Sequence, residues 1–312
     1  MKRAWTRSAL PRFMVFLSTA LISVTVIQTE THHIDPIPLR AVPATTVAPV
    51  KSSTKPEDPQ LFLDYEGEDK LFRQGYEVSK VDATVPWDYP DEHGKLTTHL
   101  IDATHVIVKR YGHTIAEFDG VYHPVGNFAD FGFFDLLGNK SEQLIISLTI
   151  SRGGRHLVVS LEPQFRVLFD SADYDVGREE FSIIDIDKDG VHEICLRLVS
   201  FYGMEGLQSV GETPLPEIIF KYDAKRMKYL PANHLFAEYA LRDLNPETEG
   251  EVYQHHRFDV LLDYVYAGKE KEGWASFDKY YPSPDKQVMR SRIKAVLKND
   301  PVYKFIYKNR KR

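Results

Sequence analysis

Short runs of apolar or alternating residues dominate the chain from residue 61 to about residue 232. Nine of them are rich in β-branched and aromatic residues, which favours strands: LFLDYE, THVIVKRY, TIAEFDGVY, QLIISLTI, RHLVVSLE, FRVLFD, FSIIDI, EICLRLVSFY and EIIFKYD. Turn-forming residues separate the runs, with Gly153-Gly154 and Asp223–Arg226 at the tips of two predicted hairpins. Because no helix-length segment lies between the strands, the pattern predicts antiparallel sheets.

Helical periodicity replaces this pattern after residue 233. The candidate helices cover residues 233–244, 245–268, 268–281 and 283–300, and Gly268 is placed to end the second of them. The last is the clearest, with Ser283 as a cap and Pro284 in its first turn. Its apolar face consists of Val288, Met289, Ile293, Val296 and Leu297. The predicted fold class is therefore mainly β with a C-terminal α region.

The first 60 residues predict targeting rather than a folded core. Four basic and no acidic side chains precede FMVFLSTALISVTVI, an uncharged run at residues 13–27. This is the layout of an export signal. The run is short for a spanning helix and no clear cleavage site follows it, so residues 1–29 are a signal peptide or a signal anchor. A proline-rich linker at 30–60 then leads to the body, which we expect to be periplasmic, at the cell surface or secreted.

Composition removes some functions and leaves others open. The net charge of −6 over 312 residues carries no signature of nucleic-acid binding. Cys195 is the single cysteine, so an intramolecular disulfide is excluded. Ten basic residues and one acidic residue, Asp300, lie between Lys286 and Arg312. This tail can contact an anionic surface, although the pattern favours a solvated helix face that ends in a frayed terminus.

Four carboxylates crowd the stretch SIIDIDKDGVHEICL, residues 182–196. Like charges repel at such spacing unless a cation neutralises them. Alternate acidic residues around a turn glycine, Gly190, suit calcium, which prefers oxygen ligands. The predicted ligands are the side chains of Asp185, Asp187, Asp189 and Glu193 and the carbonyl of Val191. The strand-like flanks and Leu196, where an EF-hand needs glutamate, exclude an EF-hand. A solvated turn is the alternative.

A second copy of this loop lies upstream. The stretch FFDLLGNKSEQLII aligns without a gap with IIDIDKDGVHEICL, so that Asp185 follows Asp135 by 50 positions. Asn139, Gln143 and Leu144 fall on Asp189, Glu193 and Ile194, whereas Leu137 and Lys140 replace Asp187 and Gly190. Since this copy keeps one carboxylate and adds a cation, we expect no calcium there. A period near fifty residues suits one propeller blade.

The two loops resemble those of the FG-GAP and VCBS repeats of integrin-like β-propellers. The resemblance covers roughly residues 126–205. It implies a calcium ion that stiffens a turn and does no chemistry. The predicted organisation is residues 1–29 as signal, 30–60 as linker, 61–232 as the β domain and 233–312 as the helical region. The β domain has room for three or four blades, which predicts a small or incomplete propeller-like domain, with a β sandwich as the alternative.

Catalytic signatures are missing from the sequence. It contains no G-x-S-x-G, P-loop, H-E-x-x-H or G-x-G-x-x-G motif. We expect Cys195 to be a buried, inert thiol. His93, His99 and His105 would share a face only on one continuous strand, and a turn is expected within their span. The expected function is that of an exported calcium-binding interaction or scaffold module with a protein or glycan partner. An extracytoplasmic hydrolase without a recognisable motif is the alternative.

Overall fold

The computed structural model describes residues 69–90, 95–119, 129–150, 153–176, 181–204, 207, 213–245, 250, 253, 258–282 and 284–309. These residues belong to one compact unit. The predicted export signal, the linker, the first predicted strand and the candidate cap Ser283 lie outside the described residues. Among the helices described, none is long and apolar enough to cross a membrane.

Twelve strands form three four-stranded sheets in the described residues. The first sheet contains β1 (Lys70–Arg73), β2 (Tyr76–Pro90), β3 (Leu96–Arg110) and β4 (His113–Asp119). The second contains β5 (Ala129–Phe134), β6 (Gln143–Ile150), β7 (Gly153–Ser160) and β8 (Arg166–Asp170). The third contains β9 (Ser182–Ile184), β10 (Glu193–Arg197), β11 (Glu217–Asp223) and β12 (Lys228–Pro231). Each sheet is an antiparallel meander in chain order, the layout of a propeller blade.

The three sheets pack face to face in the order in which they occur in the chain. Val78 of the first sheet and Ile146 of the second share one apolar core. Ile145, on the opposite face of the second sheet, shares another core with Ile194 of the third. The far face of the third sheet is covered by Phe236, next to the first helix. Three stacked sheets differ from the two-sheet sandwich that was the alternative, and the mainly β fold is confirmed.

Five helices that lie wholly within the described residues follow the sheets. They are α1 (Ala237–Ala240), α2 (Asp259–Tyr266), α3 (Glu270–Tyr280), α4 (Lys286–Asn299) and α5 (Pro301–Asn309). Buried side chains of α2 to α5 join the core between the second and third sheets. The predicted end of α2 is confirmed, because Gly268 follows it with a φ of +77° and donates to the carbonyl of Val265.

The clearest predicted helix is present, but its apolar face is narrower than expected. Met289, Ile293 and Leu297 of α4 are buried at a spacing of four residues. Val288 is 52% exposed, so its placement on the apolar face is wrong. It lies one position, about 100°, away from the buried row, which is enough to turn it towards solvent.

One turn also differs from the prediction. Gly153 and Gly154 pair with Ile150 and Thr149, so they belong to β7 and not to the hairpin tip. The long-range strand register decided this position, and the local turn formers did not.

The turn expected within the span of His93 to His105 is confirmed, because Pro90 at the end of β2 pairs antiparallel with Leu96 at the start of β3. His99 and His105 both lie after this turn, on β3. The hairpin around Asp223–Arg226 is confirmed, with backbone N–H groups of the turn donating to Asp223.

The basic tail is helical as far as Asn309. The carboxylate of Asp300 accepts hydrogen bonds from the backbone N–H of Tyr303 at 2.6 Å and from the hydroxyl of Ser200 at 2.7 Å, which caps α5. Ile306 is buried, and the hydroxyl of Tyr307 donates to the carbonyl of Val265 at 2.7 Å. The aromatic side chains of this segment therefore stabilise the helical region.

We expect a pH-dependent stability that depends on Asp263 of α2. Burial, and then the neighbouring Asp259, raise the pKa of Asp263 to about 7. Because this pKa lies above the unfolded value of about 3.9, the folded state binds more protons between about pH 4 and 7, and stability falls as pH rises through that window. Asp263→Asn should therefore gain about 2–4 kcal/mol over the parent at pH 8 and almost nothing at pH 4 in urea unfolding.

Asp82→Asn is the matched control, because Asp82 is exposed on β2 and does not contribute to the pKa shift of Asp263. It should leave the unfolding free energy within about 0.5 kcal/mol of the parent at both pH values. Parallel pH profiles for Asp263→Asn and the parent would contradict the assignment.

Candidate metal centre

Carboxylate side chains hold the shape of the loop between β9 and β10 by accepting hydrogen bonds from its own backbone, without a cation. One oxygen of Asp185 accepts from the backbone N–H of Asp189 at 3.0 Å and the other from that of Gly190 at 2.9 Å. Asp189 in turn accepts from the N–H of Val191 at 2.8 Å. The left-handed conformation of Gly190, with a φ of +86°, allows the chain to close this turn. The turn itself is therefore built from side-chain acceptors.

Glu193 is the buried member of the cluster, with no exposed surface. One of its oxygens accepts from the N–H of Ile186 at 2.9 Å, which ties the end of the loop to its beginning. Burial raises the pKa of Glu193, against the opposing effects of this N–H and of Lys221. Asp185, Asp187 and Glu193 each place an oxygen within 4.8 Å of the others, so three predicted ligands converge on one point. Val191 lies in the same loop, and the ligand role of its carbonyl stays a prediction.

A lysine that the sequence analysis missed faces this cluster. The ammonium of Lys221 lies 2.8 Å from Asp187, 2.9 Å from Asp189 and 3.0 Å from Glu193. Burial lowers the pKa of Lys221 and the three carboxylates raise it, with a net rise. The hydrogen bond from Lys221 also lowers the pKa of Asp189. Lys221 reaches the loop from β11, because Ile194 of β10 pairs with Phe220 and so sets Glu193 beside Lys221.

The upstream loop, between β5 and β6, has the same hydrogen-bond frame. In both loops the strand pairing that precedes and follows the turn is also the same, Phe134 with Gln143 and Ile184 with Glu193. In the upstream loop, the backbone N–H groups of Asn139 and Lys140 donate to the carboxylate of Asp135. The N–H of Ser141 donates to the side chain of Asn139, and the N–H of Leu136 donates to the side chain of Gln143. Each of these four bonds lies fifty positions before its counterpart, so the geometry agrees with the gapless alignment.

The two loops differ in charge, and they also differ in the residue that faces each loop from the neighbouring strand. Leu137, Asn139 and Gln143 stand where the downstream loop has three carboxylates. Gln143 pairs across the sheet with Ser160, which therefore occupies the position of Lys221. A lysine faces the loop that has carboxylates at these three positions, and a serine faces the loop whose side chains at these positions are neutral.

The two loops touch each other along one edge of the stacked sheets. The N–H of His192 donates to the carbonyl of Leu136 at 2.8 Å. A Cβ atom added to Gly138 would lie 2.2 Å from the carbonyl oxygen of Gly190, a distance that real atoms do not allow. The upstream loop therefore supports the downstream one directly.

No family model, no curated protein and no solved structure matches the chain. The resemblance to FG-GAP and VCBS repeats accordingly rests on the loop pattern and on the internal repeat.

The other predicted residues lie apart from this cluster. Cys195 is buried, as expected, and burial raises the pKa of its thiol, which disfavours the reactive thiolate. His105 contacts Glu117 at 2.9 Å. His99 lies on the same strand, β3, but its side chain is outside the described residues, and His93 is outside them altogether.

One serine–histidine contact was not expected. The hydroxyl of Ser147 lies 2.9 Å from Nδ1 of His156, across the β6–β7 pair. His156 is buried and stacks on Phe181 with ring centroids 4.7 Å apart. Burial lowers the pKa of His156 to about 4, so the ring is neutral near pH 7. Because the histidine is buried and the serine is only partly exposed, the pair stabilises the packing of the sheet rather than offering a base to a substrate.

Gly138→Ala should destabilise the protein by about 2–4 kcal/mol, because a left-handed residue gains a Cβ and that atom clashes with the neighbouring loop. Gly112→Ala is the matched control: its φ of +81° is also left-handed, yet an added Cβ meets no atom within 4 Å. It should cost only about 1 kcal/mol. Urea unfolding of both variants measures the difference, and equal losses would contradict the loop–loop contact.

Proposed function

We propose that the chain is an exported β-repeat protein that acts as an interaction or scaffold module at the cell surface or in the periplasm. The observation that carries the proposal is a pair of exposed aromatic side chains, Phe72 and Tyr111, with 69% and 79% of their surface exposed. They flank an open cleft of about 350 Å³ at the turns of the first sheet. Exposed aromatic residues beside a cleft are typical of contact surfaces, because they bury a large area with little loss of side-chain freedom.

A tight hairpin turn presents Tyr111. The φ of Tyr111 is +51° and that of Gly112 is +81°, the values of a two-residue turn, and this turn joins β3 to β4. The guanidinium of Arg110 lies 5.4 Å from the centroid of this ring and 4.9 Å from that of Tyr76. It also contacts Glu162 at 2.8 Å, which anchors it to the segment between β7 and β8. The hairpin turn and this cation therefore hold the Tyr111 ring at the exposed edge of the first sheet, which supports a binding role for this edge.

The cleft and the repeat loops share this edge of the protein. Arg73, which lines the cleft, makes two hydrogen bonds of 2.8 Å to Glu142 in the upstream loop. The calcium proposal therefore concerns a loop next to the proposed contact surface. We place calcium between Asp185, Asp187, Asp189 and Glu193 with the carbonyl of Val191. There it would neutralise charge and stiffen the edge, with an affinity on the order of 10⁻⁴–10⁻³ M.

No observation among the described residues favours the alternative hydrolase. Ser147 and His156 form a serine–histidine contact, but the histidine is buried and neutral near pH 7. The partner is a protein or a glycan, since both bury aromatic side chains in open clefts.

A photo-crosslinking residue in place of Tyr111 tests the contact surface in producing cells. It should give a discrete adduct that Phe72→Ser abolishes while the melting temperature stays within about 2 °C. The same substitution at Leu235, which is 65% exposed, should give no such adduct. Identical adduct patterns at positions 111 and 235 would contradict the proposal.

Calcium binding is tested by calorimetry and thermal melts of the full chain beside an Asp187→Ala, Asp189→Ala variant. Millimolar calcium should raise the melting temperature of the parent by roughly 2–8 °C and leave the double variant unchanged. Asp243→Ala, at an exposed site away from the loop, should respond as the parent does. If the parent shows neither heat nor stabilisation, the calcium proposal fails.

A further inference from the structure

We infer that the ammonium of Lys221 is the resident cation of the loop formed by residues 185–193. It neutralises the carboxylates that a metal ion would otherwise neutralise, so this repeat folds without metal. Calcium then enters only by displacing Lys221, a consequence that rests on the proposed calcium binding.

The geometry saturates the lysine. An ammonium group has three protons to donate, and Asp187, Asp189 and Glu193 each accept one hydrogen bond from it, at 2.8–3.0 Å. Both oxygens of Asp185 are already used by backbone N–H groups of the loop. The carboxylates that the loop frame leaves available are therefore the ones that meet Lys221.

Burial makes this cation necessary. Glu193 has no exposed surface, and an ionised carboxylate in such a place strongly destabilises a fold when its partner is removed. The side chain of Lys221 is itself only 24% exposed. Its ammonium lies 5.4 Å from the ring centroid of Phe236, which encloses the pair from the side of the helical region.

The upstream repeat supplies an internal comparison. It has the same hydrogen-bond frame, but Asn139 and Gln143 are neutral and the facing residue is Ser160. The lysine is thus present where the carboxylates are present. This co-occurrence of lysine and carboxylates is expected if the lysine neutralises the negative charge of the carboxylates. It is not expected if the lysine is merely a solvated residue of the strand.

One ammonium offsets only one of four carboxylate charges. The loop retains negative charge that attracts a divalent ion, and Asp187 and Asp189 are 41% and 44% exposed on the side from which an ion can arrive. The same oxygens cannot bind the ammonium at 2.8–3.0 Å and a calcium ion at once. The two cations therefore compete, and Lys221 weakens calcium binding.

Lys221→Met in the full chain, which keeps the length of the stem and removes the charge, tests this inference. In EDTA it should melt roughly 5–15 °C below the parent, whereas Lys225→Met, at an exposed lysine of the adjacent turn, should melt within about 2 °C. Added calcium should restore Lys221→Met and bind to it at least about 10-fold more tightly than to the parent.

The outcomes separate the two proposals. If Lys221→Met melts as the parent does in EDTA, Lys221 is not the resident cation. If it is destabilised but no protein responds to calcium, the resident cation stands and the calcium proposal fails. If parent and variant bind calcium equally well, the competition is disproved.

A second variant guards against simple loss of folding. Lys221→Ser combined with Asp187→Leu, Asp189→Asn and Glu193→Gln gives the downstream loop the chemistry of the upstream one. It should recover most of the melting temperature lost by Lys221→Ser alone, because a neutral loop needs no cation. A combined variant as unstable as Lys221→Ser would overturn the inference.

Discussion

The buried carboxylate of Glu193 is the group on which the downstream repeat depends. One of its oxygens closes the loop through the N–H of Ile186, and the other meets the ammonium of Lys221. Loop closure, strand pairing between β10 and β11, and charge balance therefore meet at one side chain. Because an unpaired buried carboxylate costs about 3–5 kcal/mol, the cation beside it is a structural requirement whichever species provides it.

Comparison of the two repeats separates the shape of the loop from its charge. Gln143 accepts from the N–H of Leu136 as Glu193 accepts from that of Ile186, at 2.8 and 2.9 Å. An amide oxygen thus closes the same turn without any charge to neutralise. The requirement for a cation therefore arises from the carboxylates and not from the turn. A metal ion in such a loop would neutralise the carboxylates of a turn whose hydrogen bonds already exist without it.

The features that could be predicted from the sequence depend on residues close together in the chain. The acidic loop, its copy fifty positions upstream and the buried row of α4 are local patterns. Lys221 lies 28 positions from Glu193, and only the register of β10 against β11 brings them together. Period-two alternation predicts a strand but does not specify its partner. The long strand β2 was not predicted from the sequence for a related reason. Its prolines, Pro86 and Pro90, indicate a turn unless the pairing with β3 is known.

Direct contacts join the parts of the edge that carries both proposals. Arg73 beside the cleft binds Glu142 of the upstream loop. Gly138 of the same loop lies against Gly190 of the acidic loop. Contiguity alone does not couple sites, because coupling requires an element with two states that both sites bias. Competition between an ammonium and a calcium ion would supply two states at the far end of this series. The edge then meets both requirements for coupling. One is a discrete exchange of Lys221 for calcium at the acidic loop, and the other is a series of packed contacts from that loop to Phe72 and Tyr111.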